Sequence, residues 1–299
     1  MHDTRQAVVG VDGGKKANLM SPGQELLCER FDVATDPARV RVRVRGNKPY
    51  AHRSIVEQAP DAAHFAPVSD RNFVKFTFIR VLPEWRRRSP EEREQDKAEF
   101  AAACADFASD HLLRAYSLVG TRGDTDLMIR SLASSLDPIH ELHVLLNQSG
   151  LMRWAEISHS YLAMTKESTY ADEPTPLEPR PGSDRKYLIV YPMWKKREWY
   201  LLPAEERMRI MRGHIETGKR YPGIEINTAY SYGLDDQEFV VSFHADDPSE
   251  FLDLVQELRT TESSAYTLSE TPIFTCISAS PERALDALDG VAATAALSG

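Results

Sequence analysis

The fold is decided between residues 187 and 277. This stretch runs Tyr187-Leu188-Ile189-Val190-Tyr191-Pro192-Met193, then Pro203-Ala204-Glu205-Glu206 through Met211-Arg212-Gly213-His214 to Gly218, then Ile224 to Tyr232. It continues through Gly233-Leu234-Asp235-Asp236, Glu238 to His244, Pro248 to Arg259 and Pro272 to Ile277. Apolar and β-branched runs read as strands, the 3.6-spaced stretches opened by proline read as helices, and Gly-Leu-Asp-Asp reads as a hairpin turn. The order is strand, helix, strand, strand, helix, strand.

Upstream the pattern recurs more loosely. Phe73 to Ile79 is a strand, and Ser89-Pro90-Glu91-Glu92 opens a helix with serine as N-cap, proline in the first turn and Glu92 in the capping-box position. A strand follows at Leu112 to Val119, then helical segments from Asp124 to Leu146 broken near Asp137-Pro138, then a strand at Ile157 to Thr165. Two successive α+β units of similar length imply two ferredoxin-like halves packed sheet to sheet, with a ligand site between sheet and helices. The domain reading is therefore a first half at 72–165, a proline-rich acidic loop at 166–185, a second half at 186–278 and a tail at 279–299. Residues 1–71 form an N-terminal extension of unassigned role, with one alternating strand, Val40 to Arg45, and a proline-containing linker around residues 59–67.

Composition narrows the function classes. With 299 residues, 42% hydrophobic and 27% charged, the chain can bury a large core. A net charge of -9 argues against nucleic acid as main partner, while leaving room for an anionic small ligand in a local basic pocket. No run approaches the ~20 apolar residues of a membrane span, and Met1 to Gln6 lacks the layout of a signal peptide, so a cytoplasmic protein is expected. The three cysteines, Cys28, Cys104 and Cys276, are far apart in no paired motif.

Few residues carry chemistry on their own pattern. In the helix after Pro203, Ile210, Met211 and His214 share a face, with Gly218 one turn on; this suits a flat ligand beside an imidazole, and equally a core histidine with a satisfied hydrogen bond. Tyr191 sits in an apolar strand, where a buried, hydrogen-bonded tyrosine is the ordinary case. His159 lies in Ile157-Ser158-His159-Ser160-Tyr161, compatible with a solvated strand face. His140-Glu141-Leu142-His143 lacks one spacer of the zinc motif His-Glu-x-x-His, and Gly10 to Lys16 lacks the spacing of a phosphate loop.

Taken together, Tyr191-Pro192-Met193-Trp194-Lys195-Lys196, Glu198-Trp199-Tyr200-Leu201-Leu202-Pro203, Met211-Arg212-Gly213-His214, Gly218-Lys219-Arg220-Tyr221 and Gly233-Leu234-Asp235-Asp236-Gln237-Glu238-Phe239 resemble the chlorite dismutase family, above all its coproheme decarboxylases. Tyr116 to Gly120 and Ser158 to Tyr161 match more loosely, and residues before Asn72 do not. The resemblance implies a dimeric α+β barrel-type domain, a homo-oligomer, often a ring of five, and His214 as the proximal iron ligand. It implies Tyr191 as the residue that becomes a radical and takes hydrogen from a propionate, and His159 as the acid-base group acting on bound peroxide. Lys195, Ser264, Tyr170 and Arg180 fall at positions that hold propionates, and Trp199 at a proximal tryptophan. The implied substrate is iron coproporphyrin III, oxidised by hydrogen peroxide to haem b; a permanent haem b peroxidase or catalase-like protein, and a haem carrier or sensor, are the alternatives. Two positions depart from chlorite dismutases: Ile226, with Asn227 beside it, stands where they carry a distal arginine, and His244 where they carry a glutamate. Both departures disfavour chlorite chemistry.

Overall fold

A computed structural model describes residues 71–170 and 185–293. The strand at 40–45, the linker and Arg180 lie outside the described residues. The first half contains β1 (Phe73–Val81), α1 (Pro90–Ala108), β2 (Leu112–Ser117), β3 (Leu127–Ala133), α2 (Leu136–Gln148) and β4 (Ala155–Met164). The second contains β5 (Tyr187–Lys195), α3 (Arg197–Leu201), α4 (Ala204–Lys219), β6 (Glu225–Tyr230), β7 (Phe239–Ala245), α5 (Pro248–Leu258), β8 (Thr267–Ser269), β9 (Phe274–Ala279) and α6 (Pro281–Leu288).

Each half is an antiparallel four-stranded sheet, ordered β4-β1-β3-β2 and β6-β7-β5-β9. The halves are joined edge to edge, which gives the two sheets the barrel form that the family resemblance implies. β2 pairs with β9 from Ala115↔Ala279 to Ser117↔Ile277, and β4 meets β6 at Met164↔Tyr230. Because β5 also pairs with β7, the strands close into one ring. Joining the edges gives backbone groups partners that two stacked sheets would leave open.

The alternation of strand side chains makes two layers of core. Inward residues, including Phe76, Phe78, Met128, Tyr161, Val190, Val240 and Phe274, fill the barrel. Outside the first half, α1, α2 and α6 cover the sheet completely: Trp85, Phe100, Cys104, Phe107, Leu142, Leu146, Leu285 and Leu288 are buried together. Ser89 and Glu92 form the expected capping box at the start of α1. Outside the second half the layer is thinner, with Ile189, Tyr191, Ile224, Val241, Phe243, Ala245 and Leu254 against α5.

The expected helix from Asp124 is instead β3. Every residue of Leu127–Ala133 is buried, so both faces of the strand are enclosed and no period of two appears in its sequence. Pro138 sits in the first turn of α2 and breaks nothing.

Phe274 links the halves from inside: it is fully buried and stacks on Phe78 with ring centroids 4.0 Å apart. Phe274→Ala should lower stability by about 3–5 kcal/mol, the usual cost of emptying an aromatic site in a core. Urea unfolding followed by circular dichroism measures this, and a loss below about 1 kcal/mol would contradict the described packing.

Candidate functional site

The thin outer layer of the second half leaves a cavity of about 1260 Å³ between the sheet and helices α4 and α5. This exceeds the ~300–1,000 Å³ typical of small-molecule sites. Its sheet wall follows from register. Tyr191 pairs with Val241 and Val241 with Thr228, while Met193, Phe239 and Tyr230 form the next row. All six residues line the cavity. Its helix wall is Arg207, Met211, His214, Ile215 and Gly218. Helix α4 carries Glu205 and Glu206 in its first turn and Lys219 in its last, charges that suit the helix dipole. Gly218 faces Ile226 across the gap between α4 and β6, where a Cβ would stand 3.7 Å from Ile226 Cδ1, an ordinary contact.

His214 is held by a directed chain of hydrogen bonds. Thr261 Oγ1 donates to the Leu258 carbonyl at 2.7 Å, so toward Ser263 Oγ, 3.1 Å away, it acts as acceptor. Ser263 therefore donates to Thr261 and accepts from His214 Nδ1 at 2.9 Å. This fixes the proton on Nδ1 and leaves Nε2 with its lone pair for a metal. Burial, with Lys195 nearby, lowers the His214 pKa to about 4, so the ring is neutral at pH 7. A neutral, oriented imidazole on a cavity wall fits an iron ligand. Ser263 is 49 residues from His214, and no local sequence signal marks it.

The cavity is basic within an acidic chain. Among the described residues Arg130, Lys166, Arg185, Lys195, Arg207, Lys219 and Arg259 line it, against Glu225 and Glu270. Arg259 is paired with Glu270. Arg207, two turns before His214 on the same helix, has its Nε buried without a hydrogen-bond partner among the described residues. Such a lining fits a ligand with several carboxylates. Arg207 belongs to the run Glu206-Arg207 through His214 that carries the family resemblance, though no role attaches to it there, and Arg259 does not stand out in the sequence.

Of the expected residues, His214, Tyr191, Lys195, Ser264, Tyr170 and Trp199 all line this cavity. Tyr191 is buried, its ring stacked with Phe243 at 5.7 Å, and burial raises its pKa well above the usual phenol range, keeping the O–H intact. Lys195 Nζ lies 3.4 Å from the Ser263 carbonyl and from Thr267 Oγ1, and 5.1 Å from the centre of the Trp199 ring. Tyr170 lies against the other side of this group, 6.3 Å from Trp199.

His159 is not among the residues lining the cavity. It stands opposite Phe78 in the β1–β4 register and contacts Phe78 and Phe274, with Asp124 at 4.0 Å from its Nε2. The alternation of β4 turns it toward the barrel, which removes the geometric basis for a role beside His214. His244 also lies on the inward face, so the carboxylate-for-histidine comparison at that position does not concern His214; Ser263 is the group that bonds the His214 ring here. Ile226 faces the cavity and Asn227 lies on the inward side of β6, so neither reading of that position brings an arginine to the wall. His143 hydrogen-bonds Thr77 Oγ1 and the Ile139 carbonyl, both at 2.8 Å, and no group of three metal-binding side chains occurs among the described residues. None of the described helices is long and apolar enough to cross a membrane.

Comparison with known proteins places this geometry. A coproheme decarboxylase of Mycolicibacterium smegmatis is 28% identical over 194 residues, 62% of this chain and 84% of that protein. A coproheme decarboxylase of Thermus thermophilus is 34% identical over 166 residues, 50% of this chain and 64% of that protein, so the chain spans under two thirds of that relative. A solved structure described as a novel heme-binding protein from Thermus thermophilus superposes with a TM-score of 0.64 at 28% identity, covering 73% of this chain and 95% of that one. Chlorite dismutase from Candidatus Nitrospira defluvii superposes with a TM-score of 0.66 at 22% identity, over 72% and 94% of the two chains, a likeness of fold. The sequence profile named Chlorite dismutase matches residues 93–279, more than half of the chain, and the chain belongs to the chlorite dismutase family.

Proposed function

We propose that this protein is a coproheme decarboxylase, converting iron coproporphyrin III to haem b with hydrogen peroxide as oxidant. The observation that carries the reading is that His214 and Tyr191 share one cavity whose lining is basic although the chain is acidic. Coproporphyrin carries four carboxylates, which Lys195, Arg207, Arg259, Ser264 and Tyr170 can receive. The names of relatives at 28% and 34% identity support the same substrate.

Iron porphyrin, when bound, would supply the oxidising chemistry with peroxide as the oxidant. The chain's own residues bind and orient. His214 Nε2 would hold the iron while Ser263 holds the ring by Nδ1. The basic side chains fix the propionates, and the apolar wall of Met193, Val241 and Phe243 excludes water. The Tyr191 phenol gives up its hydrogen atom and retakes one from the propionate chain, which then loses carbon dioxide and becomes a vinyl group. Each propionic acid group and one hydrogen peroxide yield one vinyl group, one carbon dioxide and two waters.

His214→Ala should abolish the Soret spectrum of tightly bound ferric coproheme, since alanine offers no ligand; an unchanged spectrum and affinity would place the ligand elsewhere. Tyr191→Phe keeps the ring and should cost only about 1 kcal/mol of stability. It should bind coproheme normally and leave all four carboxylates in place on peroxide addition, as read by mass spectrometry of the extracted porphyrin. Haem b at a rate near wild type in that variant would sink the radical role.

A further inference from the structure

The cavity is larger than a helix–sheet cleft needs because it continues inside the barrel. Val74, Phe76, Arg130, Asn227, Ala229 and Ser242 line it, and all six are buried residues of the barrel interior. The connection follows from the two seams that close the ring. β2 and β9 are joined at three register positions, whereas β4 and β6 are joined at one, Met164↔Tyr230. Before Tyr230 the edge of β6 facing β4 has no strand partner among the described residues. Thr165 stays with β1 through its bonds to Asn72, while Lys166, Ser168, Thr169 and Tyr170 leave the sheet and line the cleft. The cavity thus wraps around this edge of β6, from outward Ile226 and Thr228 to inward Asn227 and Ala229.

The inner lobe has a definite chemistry. Arg130 lies with its guanidinium carbon 5.6 Å from the centre of the Phe76 ring; it donates a hydrogen bond to Tyr116, and Glu225 and Arg114 act on it electrostatically. On β6, Asn227 pairs with Ser242, whose hydroxyl donates to the Asn227 carbonyl at 3.4 Å. Asn227 is 8% exposed, and its buried Nδ2 has no hydrogen-bond partner among the described residues. An amide donor buried without an acceptor costs free energy, so a lobe of this kind calls for an acceptor in it. His244 and Glu225, paired in register, complete the polar end of the barrel.

We propose that this inner lobe binds a small carboxylate-type oxyanion, received by the Asn227 amide and the charge of Arg130 and entering from the cleft around the β6 edge that has no strand partner among the described residues. With a free anion the site stands apart from the reaction proposed for the cleft; with a porphyrin carboxylate it rests on that reading. Its occupant is either a free anion such as bicarbonate or formate, or a carboxylate arm of the porphyrin in the cleft.

The test uses the full chain. Thermal unfolding is followed with increasing formate, bicarbonate or nitrate, replacing chloride at constant ionic strength so that general salt effects cancel. Wild type should show a saturable rise in unfolding midpoint, since an anion bound only by the folded state stabilises it. Asn227→Leu, which removes the amide, should lose that rise while keeping the wild-type circular dichroism spectrum. His214→Ala should keep it, which separates the lobe from anion binding at the iron site. Persistence of the rise after loading with coproheme assigns the lobe to a free anion; suppression by loading assigns it to a porphyrin carboxylate. The proposal is overturned if wild type shows no saturable rise, if Asn227→Leu shows an equal one, or if His214→Ala abolishes it.

Discussion

The register of β5 between β7 and β9 is the constraint on which the rest depends. That double pairing closes the ring, and it sets which face of β5 each side chain occupies. Ile189, Tyr191 and Met193 point outward, the last two lining the cleft, while Leu188 and Val190 fill the barrel. A slip of one residue would exchange the two sets, putting a phenol into the apolar interior and valine into the cleft. Seven paired positions with β7 and four with β9, with apolar side chains buried on both faces, make such a slip costly.

The two halves share a strand order but treat their outer faces differently. In the first, Trp85, Phe100 and Phe107 fill the space between sheet and helices, and α6 adds Leu285 and Leu288. In the second, the corresponding layer holds smaller contacts, and α4 buries only Ile210 and Thr217. The space left over is lined by basic groups, so the same architecture yields a solid core on one side and an anion-accepting cleft on the other. The hairpin loops at the ends of both halves are built alike: each has a glycine at positive φ, Gly120 at 85° and Gly233 at 73°, together with a short bridge. This repeat supports the internal symmetry visible in the order of elements.

Much of this was legible in the chain. The second half could be read element by element because its strands are exposed to a cleft on one face and its helices carry caps and prolines. β3 could not, because burial on both faces erases the alternation that identifies a strand. Closure of the ring was legible only through the family resemblance, since edge pairing such as Met164↔Tyr230 leaves no mark on local pattern. His214 and Tyr191 were found through spaced motifs, and the structure brings both to one cavity. His159 shares a face of β4 with Tyr161 and Ala163, but which face turns inward depends on the pairing of β4 with β1, which leaves no mark on the local pattern. Arg207 lies in the same matching run as His214, whereas Ser263 and Arg259 reach the site through tertiary proximity and no short motif.

The central claim is that this cavity turns over a four-carboxylate iron porphyrin. Its direct measurement is titration of the coproheme-loaded wild-type protein with hydrogen peroxide, with the porphyrin extracted and weighed by mass spectrometry at each addition. The account predicts a three-carboxylate intermediate first and haem b after it, each step losing one carbon dioxide and two hydrogens. A porphyrin that keeps all four carboxylates, or is simply bleached, while peroxide is consumed would contradict it.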